Sequence, residues 1–258
     1  MNPALAQLAA LGQEWMVIGF TVFLRVGAAM AVMPAFGERS VPERVRLVLA
    51  VAFAAVVAPA VAPIVGPIVA QNGFSLAVLV SEVLAGLAIG MVIRLFVLAL
   101  QIAGSIAAQS TSLAQLLGAA NADPQPAMGH ILFVAGLALA VSLGLHVRLA
   151  EVLVVSYSIL RPGELPSADL FSTWGLARVA HAFALAFTLA APFAVASLIY
   201  NVALGVINRA MPQLMVAFVG APAITAGGLI LLFLTAPIIL EIWGAGLMAF
   251  LDNPFGGQ

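Results

Sequence analysis

The sequence has very little charge, and it lacks lysine and cysteine altogether. Charged residues make up 7% of the 258 residues, whereas hydrophobic residues make up 64%. A water-soluble domain is typically about a quarter charged, because charged side chains cover the surface that faces water. This chain is too poor in charge to cover itself in that way. Lipid or other apolar protein must therefore contact much of its surface.

Other absences exclude whole classes of function. The net charge of -1 excludes a nucleic-acid binder built on a basic patch. Without cysteine there is no disulfide, no thiolate metal site and no cysteine nucleophile. The three histidines are scattered and show no HExxH spacing, and we find no glycine-rich phosphate loop and no GxSxG elbow. We therefore expect no catalytic, cofactor-binding or metal-binding residue, and a protein that is not an enzyme.

What the sequence does contain is long apolar segments. A membrane-spanning helix needs about 20 mostly apolar residues. Continuous apolarity, without the alternation of a β-barrel strand, predicts an all-α membrane protein of about six long, partly kinked helices or helical hairpins. We expect a single membrane domain over 1–258 with no soluble domain. The predicted apolar blocks are 15–36, 45–70, 74–108, 129–160, 171–206 and 214–251.

Three prolines interrupt the second block. Proline lacks the backbone N–H and clashes with the preceding turn of a helix. We therefore expect Pro59, Pro63 and Pro67 to turn the end of this block into a broken or re-entrant piece.

Several ionisable side chains lie inside the apolar blocks, where an isolated charge is costly. Two interpretations are open, a proton or ion path and a set of structural ion pairs, and we favour the second. Arg148 and Glu151 are three residues apart on one helical face, so they can neutralise each other. The set comprises Arg25, Glu82, Arg94, Arg148, Glu151, Arg178, His181 and Glu241.

The arginines between blocks predict orientation, because cytoplasmic loops are enriched in basic residues. Arg39, Arg44 and Arg46 fall in the first connection and Arg209 in the fifth, whereas the fourth holds only Arg161. With six spans, both termini outside places most of these arginines in the cytoplasm.

Three motifs stand in order along nearly the whole chain. The first is Arg25 followed by P-A-F-G-E-R-S-V-P at 34–42, then Arg44 and Arg46. The second is Glu82 with Gly86 and Gly90, and the third is L-G-V-I-N-R-A-M-P-Q-L at 204–214. Together they resemble the FliR family of flagellar export-gate proteins and their injectisome counterparts, although Met215 stands where the family usually has asparagine.

Gly86 and Gly90 also allow a close helix approach, either within the chain or at an oligomer interface.

The resemblance implies a structural, non-enzymatic role. Members of the family join FliP and FliQ and contact FlhB to form the channel through which unfolded flagellar subunits leave the cell. It implies a place in the bacterial inner membrane, multi-pass, within the flagellar basal body. Partners would be the FliP- and FliQ-like subunits, an FlhB-like switch protein, unfolded proteins in transit and lipid, with no nucleic acid and no cofactor.

The resemblance also assigns candidate site residues. The loop 109–129, which is rich in Ser, Gln, Asn and Pro and contains no cation, corresponds to the family's pore plug. Within it we expect 109–123 to form the plug; the alternative is an ordinary periplasmic or cytoplasmic connection. The plug residues are Gln109, Ser110, Thr111, Ser112, Leu113, Ala114 and Gln115. Residues for subunit contact or topology are Arg25, Arg39, Arg44, Arg46, Glu82, Asn208, Arg209, Pro212 and Gln213.

Two alternatives remain. One is an injectisome export subunit of the same family. The other is a stand-alone secondary transporter, which would show inverted repeats around a midplane site; we see no convincing repeat.

Overall fold

The computed structural model describes residues 3–38, 41–73, 75–111, 127–211 and 216–256. The helices in these ranges are α1 (Pro3–Val32), α2 (Glu43–Asn72), α3 (Leu76–Thr111), α4 (Ala127–Ser142), α5 (Leu145–Ile159), α6 (Ala168–Ala210) and α7 (Val216–Asp252). Five are long and apolar enough to cross a membrane, or six if α4 and α5 form one broken span. The same ranges contain no strand. The predicted all-α architecture of about six long apolar helices is confirmed.

The helices differ from the predicted blocks most at two places, and the other ends agree within four residues. α1 begins at Pro3 rather than at 15. Gln7, Gln13 and Glu14 lower the apolarity of this stretch, but Gln and Glu are good helix formers, so the helix extends through them. The fourth block is two helices rather than one, because the chain turns at Gly144, whose φ of 83° is in the left-handed region that favours glycine.

The expectation that prolines break the second block is wrong. α2 continues through Pro59, Pro63 and Pro67 as one helix of 30 residues. The prolines are four residues apart, so they share one exposed face of the helix. The buried face is a row of valines at the same spacing, and α2 packs against α1 and α5. This packing stabilises the helix more than the missing proline N–H bonds destabilise it.

The chain divides into two compact units. The first comprises Met1–Leu95, Leu143–Arg178 and Ala249–Gln258, and the second comprises Phe96–Ser142 and Val179–Met248. The first unit contains α1, α2 and α5, together with the first part of α3. That the chain acts as a single membrane domain stays a prediction.

The second unit is organised around a tryptophan. The side chain of Trp243 on α7 is fully buried, and its indole N–H donates a hydrogen bond of 2.8 Å to the carbonyl of Phe96. Leu100 and Phe193 are buried in the same unit. A Cβ on Gly136 would overlap the side chain of Leu100 and lie 3.6 Å from the indole ring of Trp243. Any larger residue at 136 would have to displace the Leu100 side chain, so glycine suits the close packing of α4 against this core.

α3 and α4 approach each other closely at a pair of glycines, Gly104 and Gly129. A Cβ on Gly104 would overlap the Cα of Gly129, so the two backbones are in direct contact. A substitution at Gly129 is much less crowded, because a Cβ there would meet its nearest atoms at 3.6 Å, an ordinary van der Waals distance.

This asymmetry gives a test of the packing. Gly104→Ala should destabilise the protein by about 1–3 kcal/mol, because backbone rather than a flexible side chain must move. Gly129→Ala, at the same crossing, should leave stability nearly unchanged. The measurement is the thermal unfolding of each variant purified in one detergent. Equal losses in the two variants would contradict the described crossing.

Candidate functional site

The buried polar side chains of the described residues lie in the first unit. They are Thr21, Arg25, Ser81, Glu82 and Ser156, and the hydroxyl-bearing Tyr157 is equally buried. An unpaired charge in an apolar interior is strongly unfavourable. The partners of this group therefore decide what it does.

Arg25 and Glu82 form an ion pair that is closed to solvent. Both side chains are 0% exposed. Arg25 Nε donates to Glu82 Oε2 at 3.0 Å, and Arg25 Nη2 donates to Glu82 Oε1 at 2.6 Å. Two parallel hydrogen bonds between a guanidinium and a carboxylate fix the orientation of both groups as well as their charge.

The remaining atoms of the pair are bonded to α5. Arg25 Nη1 donates to Ser156 Oγ at 2.9 Å, and Arg25 Nη2 donates to the carbonyl of Leu160 at 2.6 Å. The guanidinium carbon lies 3.7 Å from the centre of the Tyr157 ring, a cation–π distance. Tyr157 donates its hydroxyl proton to Glu82 Oε2 at 2.9 Å. The cluster therefore joins α1, α3 and α5.

Glycines on α3 allow this cluster to form. A Cβ on Gly86 would overlap the carbonyl oxygen of Arg25, and a Cβ on Gly90 would overlap that of Ala29. Because both positions are glycine, α3 lies against the backbone of α1, and Glu82 reaches Arg25. For these two glycines the structure shows packing within the chain.

The same network holds the turn after α5. Ser81, beside Glu82, accepts a hydrogen bond of 2.7 Å from the backbone N–H of Gly163. Gly163 has a φ of 83°, the left-handed conformation that glycine adopts without strain. Arg25 through Leu160, and Ser81 through Gly163, thus fix both sides of this turn.

Chemically, the arrangement is suited to holding helices together. Four hydrogen bonds leave the Arg25 guanidinium, and Glu82 accepts three. A buried pair whose donors and acceptors are matched in this way maintains a geometry, and removing one partner leaves an uncompensated charge. Of the two interpretations offered for the charges in the apolar blocks, the Arg25–Glu82 geometry supports a structural ion pair.

Other arginines bond to backbone carbonyls near helix ends. Arg94 donates to the carbonyl of Val32, the last residue of α1, at 3.2 Å. Arg46 donates to the carbonyl of Glu38 at 3.0 Å, between α1 and α2. Arg178 donates to the carbonyl of Gly256 at 3.0 Å, beyond α7.

The surface pair predicted from spacing is also present. Arg148 Nη1 lies 2.9 Å from Glu151 Oε2, and 3.3 Å from Asp252 Oδ1 near the end of α7. The predicted pairing of Arg148 with Glu151 is confirmed.

Among the predicted contact residues that the structure describes, a side-chain contact joins Arg25 and Glu82 alone. Arg44 is exposed in the first turn of α2, and Asn208 and Arg209 are exposed in the last turn of α6. Their roles in subunit contact or topology stay predictions. Three predicted contact residues lie outside the described residues: Arg39, Pro212 and Gln213.

Most of the predicted plug also lies outside the described residues. Gln109 is exposed near the end of α3, and Ser110 donates its hydroxyl to the carbonyl of Ile106 at 2.7 Å. Thr111 is the last residue of α3. The rest of the predicted plug is not described: Ser112, Leu113, Ala114 and Gln115.

Sequence reasoning missed the α5 half of the cluster. The available signal was a serine and a tyrosine side by side, Ser156 and Tyr157, in an otherwise apolar block; Tyr157 is one of two tyrosines in the chain. Nothing in the sequence identifies the carbonyl of Leu160 as an acceptor. In the described ranges, no group of three or more His, Asp or Glu side chains could hold a metal ion.

Comparison with known proteins places this arrangement in a family. The family model described as "Bacterial export proteins, family 1" matches residues 16–249. The chain belongs to this family. Because the match includes α1, α3 and α5, the Arg25–Glu82 cluster lies wholly within the family region. With its apolar helices, this export-family chain is a multi-pass membrane protein.

Several proteins that are similar to this chain are named flagellar biosynthetic protein FliR. The flagellar biosynthetic protein FliR of Caulobacter vibrioides is 35% identical over 224 residues, covering 86% of this chain and 89% of that protein. FliR of Escherichia coli is 31% identical over 231 residues, covering 88% and 87%. FliR of Bacillus subtilis is 26% identical over 226 residues, covering 86% of each. The resemblance inferred from the three motifs is confirmed.

The buried pair can be tested by a double-mutant cycle. Glu82→Leu should destabilise the protein by about 3–5 kcal/mol, because it leaves the Arg25 cation buried without a counter-charge. Adding Arg25→Leu should restore much of the lost stability, since no charge is then left unpaired. Unfolding in detergent and the yield of folded protein are the readouts. Arg148→Leu, in the exposed pair, is the control and should change little. Additive losses in the Arg25 and Glu82 variants would contradict the described pairing.

Proposed function

We propose that the chain is a structural channel subunit of the bacterial flagellar protein export gate. In this role it helps to form the pore through which unfolded flagellar subunits are exported. Membership of an export family and relatives named as flagellar biosynthetic proteins support the proposal. They also favour the flagellar form over an injectisome counterpart. The proposed partners are FliP- and FliQ-like subunits and an FlhB-like switch protein, in the inner membrane within the basal body.

The observation that carries the proposal is the exposure of the second half of α6. From 194 to 211 nearly every residue is exposed, and the large apolar members are Val195, Leu198, Ile199, Val202, Val206, Ile207 and Met211. Contiguous apolar patches of this size mark surfaces that contact protein or membrane.

The polar residues of this segment favour protein over lipid as the cover. Asn201 donates to Ser197 Oγ at 3.2 Å, and Asn208 and Arg209 are exposed further along the helix. Amide and guanidinium groups facing hydrocarbon are costly, whereas across a helix–helix interface they find hydrogen-bond partners. A neighbouring subunit supplies such partners and lipid tails do not.

The length of α6 leads to the same conclusion. A helix of 43 residues is about 64 Å long, twice the roughly 30 Å of the hydrocarbon layer. A single straight crossing leaves much of this apolar helix outside the hydrocarbon. Sister subunits in a channel wall would cover it.

A bulky residue on this surface tests the assembly. Apart from the backbone of α6 itself and the two chain neighbours, no described atom lies within 4 Å of a Cβ built on Gly205 or on Gly175, so a side chain at either position starts in open space. Gly205→Leu should reduce co-purification with FliP- and FliQ-like subunits several-fold, because it obstructs close helix approach. Gly175→Leu, outside 194–211, is the matched control.

A stand-alone transporter would give a different result. The wild-type chain would then purify from membranes without sister subunits, and Gly205→Leu would behave like Gly175→Leu. That outcome would reject the channel-subunit assignment.

We further propose that the segment 109–123 closes the pore at rest. It contains Ser110, Thr111, Ser112, Gln115 and Asn121 but no cation, which suits a segment that does not hold any passing chain tightly. Residues 109–111 of this segment are the last residues of α3.

Deleting about five residues of this segment should raise ion leak through the assembled complex, because the pore would lose part of its obstruction. Conductance of membranes carrying the complex and the rate of flagellar protein export are the measurements. Unchanged conductance together with unchanged export would contradict the gate assignment, even if the subunits still assemble.

A further inference from the structure

A small apolar notch opens beside the turn that follows α5. Its volume is about 180 Å³, and it belongs to the first unit. Its apolar walls come from α3, the turn and the start of α6: Leu84, Ala85, Leu160, Leu165, Pro166 and Phe171. The bonds from Arg25 to Leu160 and from Gly163 to Ser81 hold this turn in place, so the notch is preformed.

Two opposite charges lie at the rim of the notch. Arg161 and Glu164 both line it and are both exposed. The backbone N–H of Glu164 donates to the carbonyl of Arg161 at 3.1 Å, which places the two residues at the ends of one tight turn. Among the described residues, neither side chain forms an ion pair. The two charges are therefore available to a ligand that carries both signs.

The position of the notch indicates what kind of ligand reaches it. The turn joins α5, half of a possible broken span, to the long apolar helix α6. Turns between membrane-spanning helices lie near the headgroup layer, where lipid phosphates and amines are concentrated. A ligand that places carbon chains in the notch and a charged group at its rim has the chemistry of a phospholipid.

We propose that this notch binds a phospholipid with a phosphoethanolamine headgroup. The phosphate lies against the guanidinium of Arg161, the ammonium lies against the carboxylate of Glu164, and an acyl chain lies along Leu84 and Phe171. A purely anionic lipid satisfies Arg161 but is repelled by Glu164. A phosphocholine headgroup has no N–H to donate to the carboxylate.

The experiment is a lipid titration of the purified full chain followed by native mass spectrometry. The probes are phosphatidylethanolamine, phosphatidylglycerol and phosphatidylcholine with matched acyl chains. Phosphatidylethanolamine should bind several-fold more tightly than the other two. Arg161→Gln and Glu164→Gln should each weaken its binding about five-fold, the effect of losing one solvent-exposed ion-pair contact.

The controls use the exposed pair on α5. Arg148 and Glu151 are the same residue types at the same spacing, but they bond to each other at 2.9 Å. Arg148→Gln and Glu151→Gln should leave phosphatidylethanolamine binding unchanged. Ala168→Phe, at an exposed position lining the notch, should weaken binding of all three lipids equally, because it fills the site of the acyl chain.

Glu164→Gln separates the proposal from a general attraction to anionic lipid. If the site selects anionic headgroups, this variant binds phosphatidylglycerol more tightly and loses nothing with phosphatidylethanolamine. That result, equal affinity for all three lipids, or rim variants that behave like the α5 controls would each overturn the proposal. None of these outcomes bears on the channel-subunit assignment, which is tested by co-purification.

Discussion

The first unit depends on one constraint: a charge away from water must be met by a partner of fixed geometry. Arg25 satisfies it with a single side chain that bonds to a carboxylate on α3, a hydroxyl on α5 and the carbonyl at the end of α5. Hydrophobic packing alone has no direction and would permit sliding between apolar helices. The directional bonds of Arg25 fix the register of α1 against its neighbours. The glycines at 86 and 90 provide the close approach that those bonds require.

The use of arginine instead of lysine agrees with the same constraint. A guanidinium has five N–H donors in a planar fork, so it can bond a carboxylate and a carbonyl together, whereas an ammonium acts as a compact point charge. Arg25, Arg94 and Arg178 each donate to a carbonyl at or beyond the end of another helix. The last carbonyls of a helix have no partner within it and carry a partial negative charge. Arg25 and Arg94 supply that partner across helices, whereas the Gly256 carbonyl bonded by Arg178 lies beyond the end of α7.

The sequence predicted the fold well because composition and apolar length report directly on the environment of a membrane chain. It predicted Arg148–Glu151 because that pair is local to one helix. Arg25–Glu82 spans 57 residues, and its partners Ser156 and Leu160 lie further along still, so no periodicity connects them. The error at Pro59, Pro63 and Pro67 arose because a local rule was applied without tertiary packing. The family motifs identified Arg25 and Glu82 as candidate contact residues, and the structure shows that the two bond to each other.

The prolines of α2 have a mechanical consequence. Each lacks the N–H that would bond the carbonyl four residues earlier, so Ala55, Pro59 and Pro63 keep carbonyls without their usual helical partner. All three lie on the exposed side of the helix, opposite the buried valines. Bending that opens this side has one hydrogen bond fewer to stretch at each of three successive turns, whereas bending that opens the valine side must stretch a full set. α2 therefore bends more easily when its proline side opens than when its valine side opens.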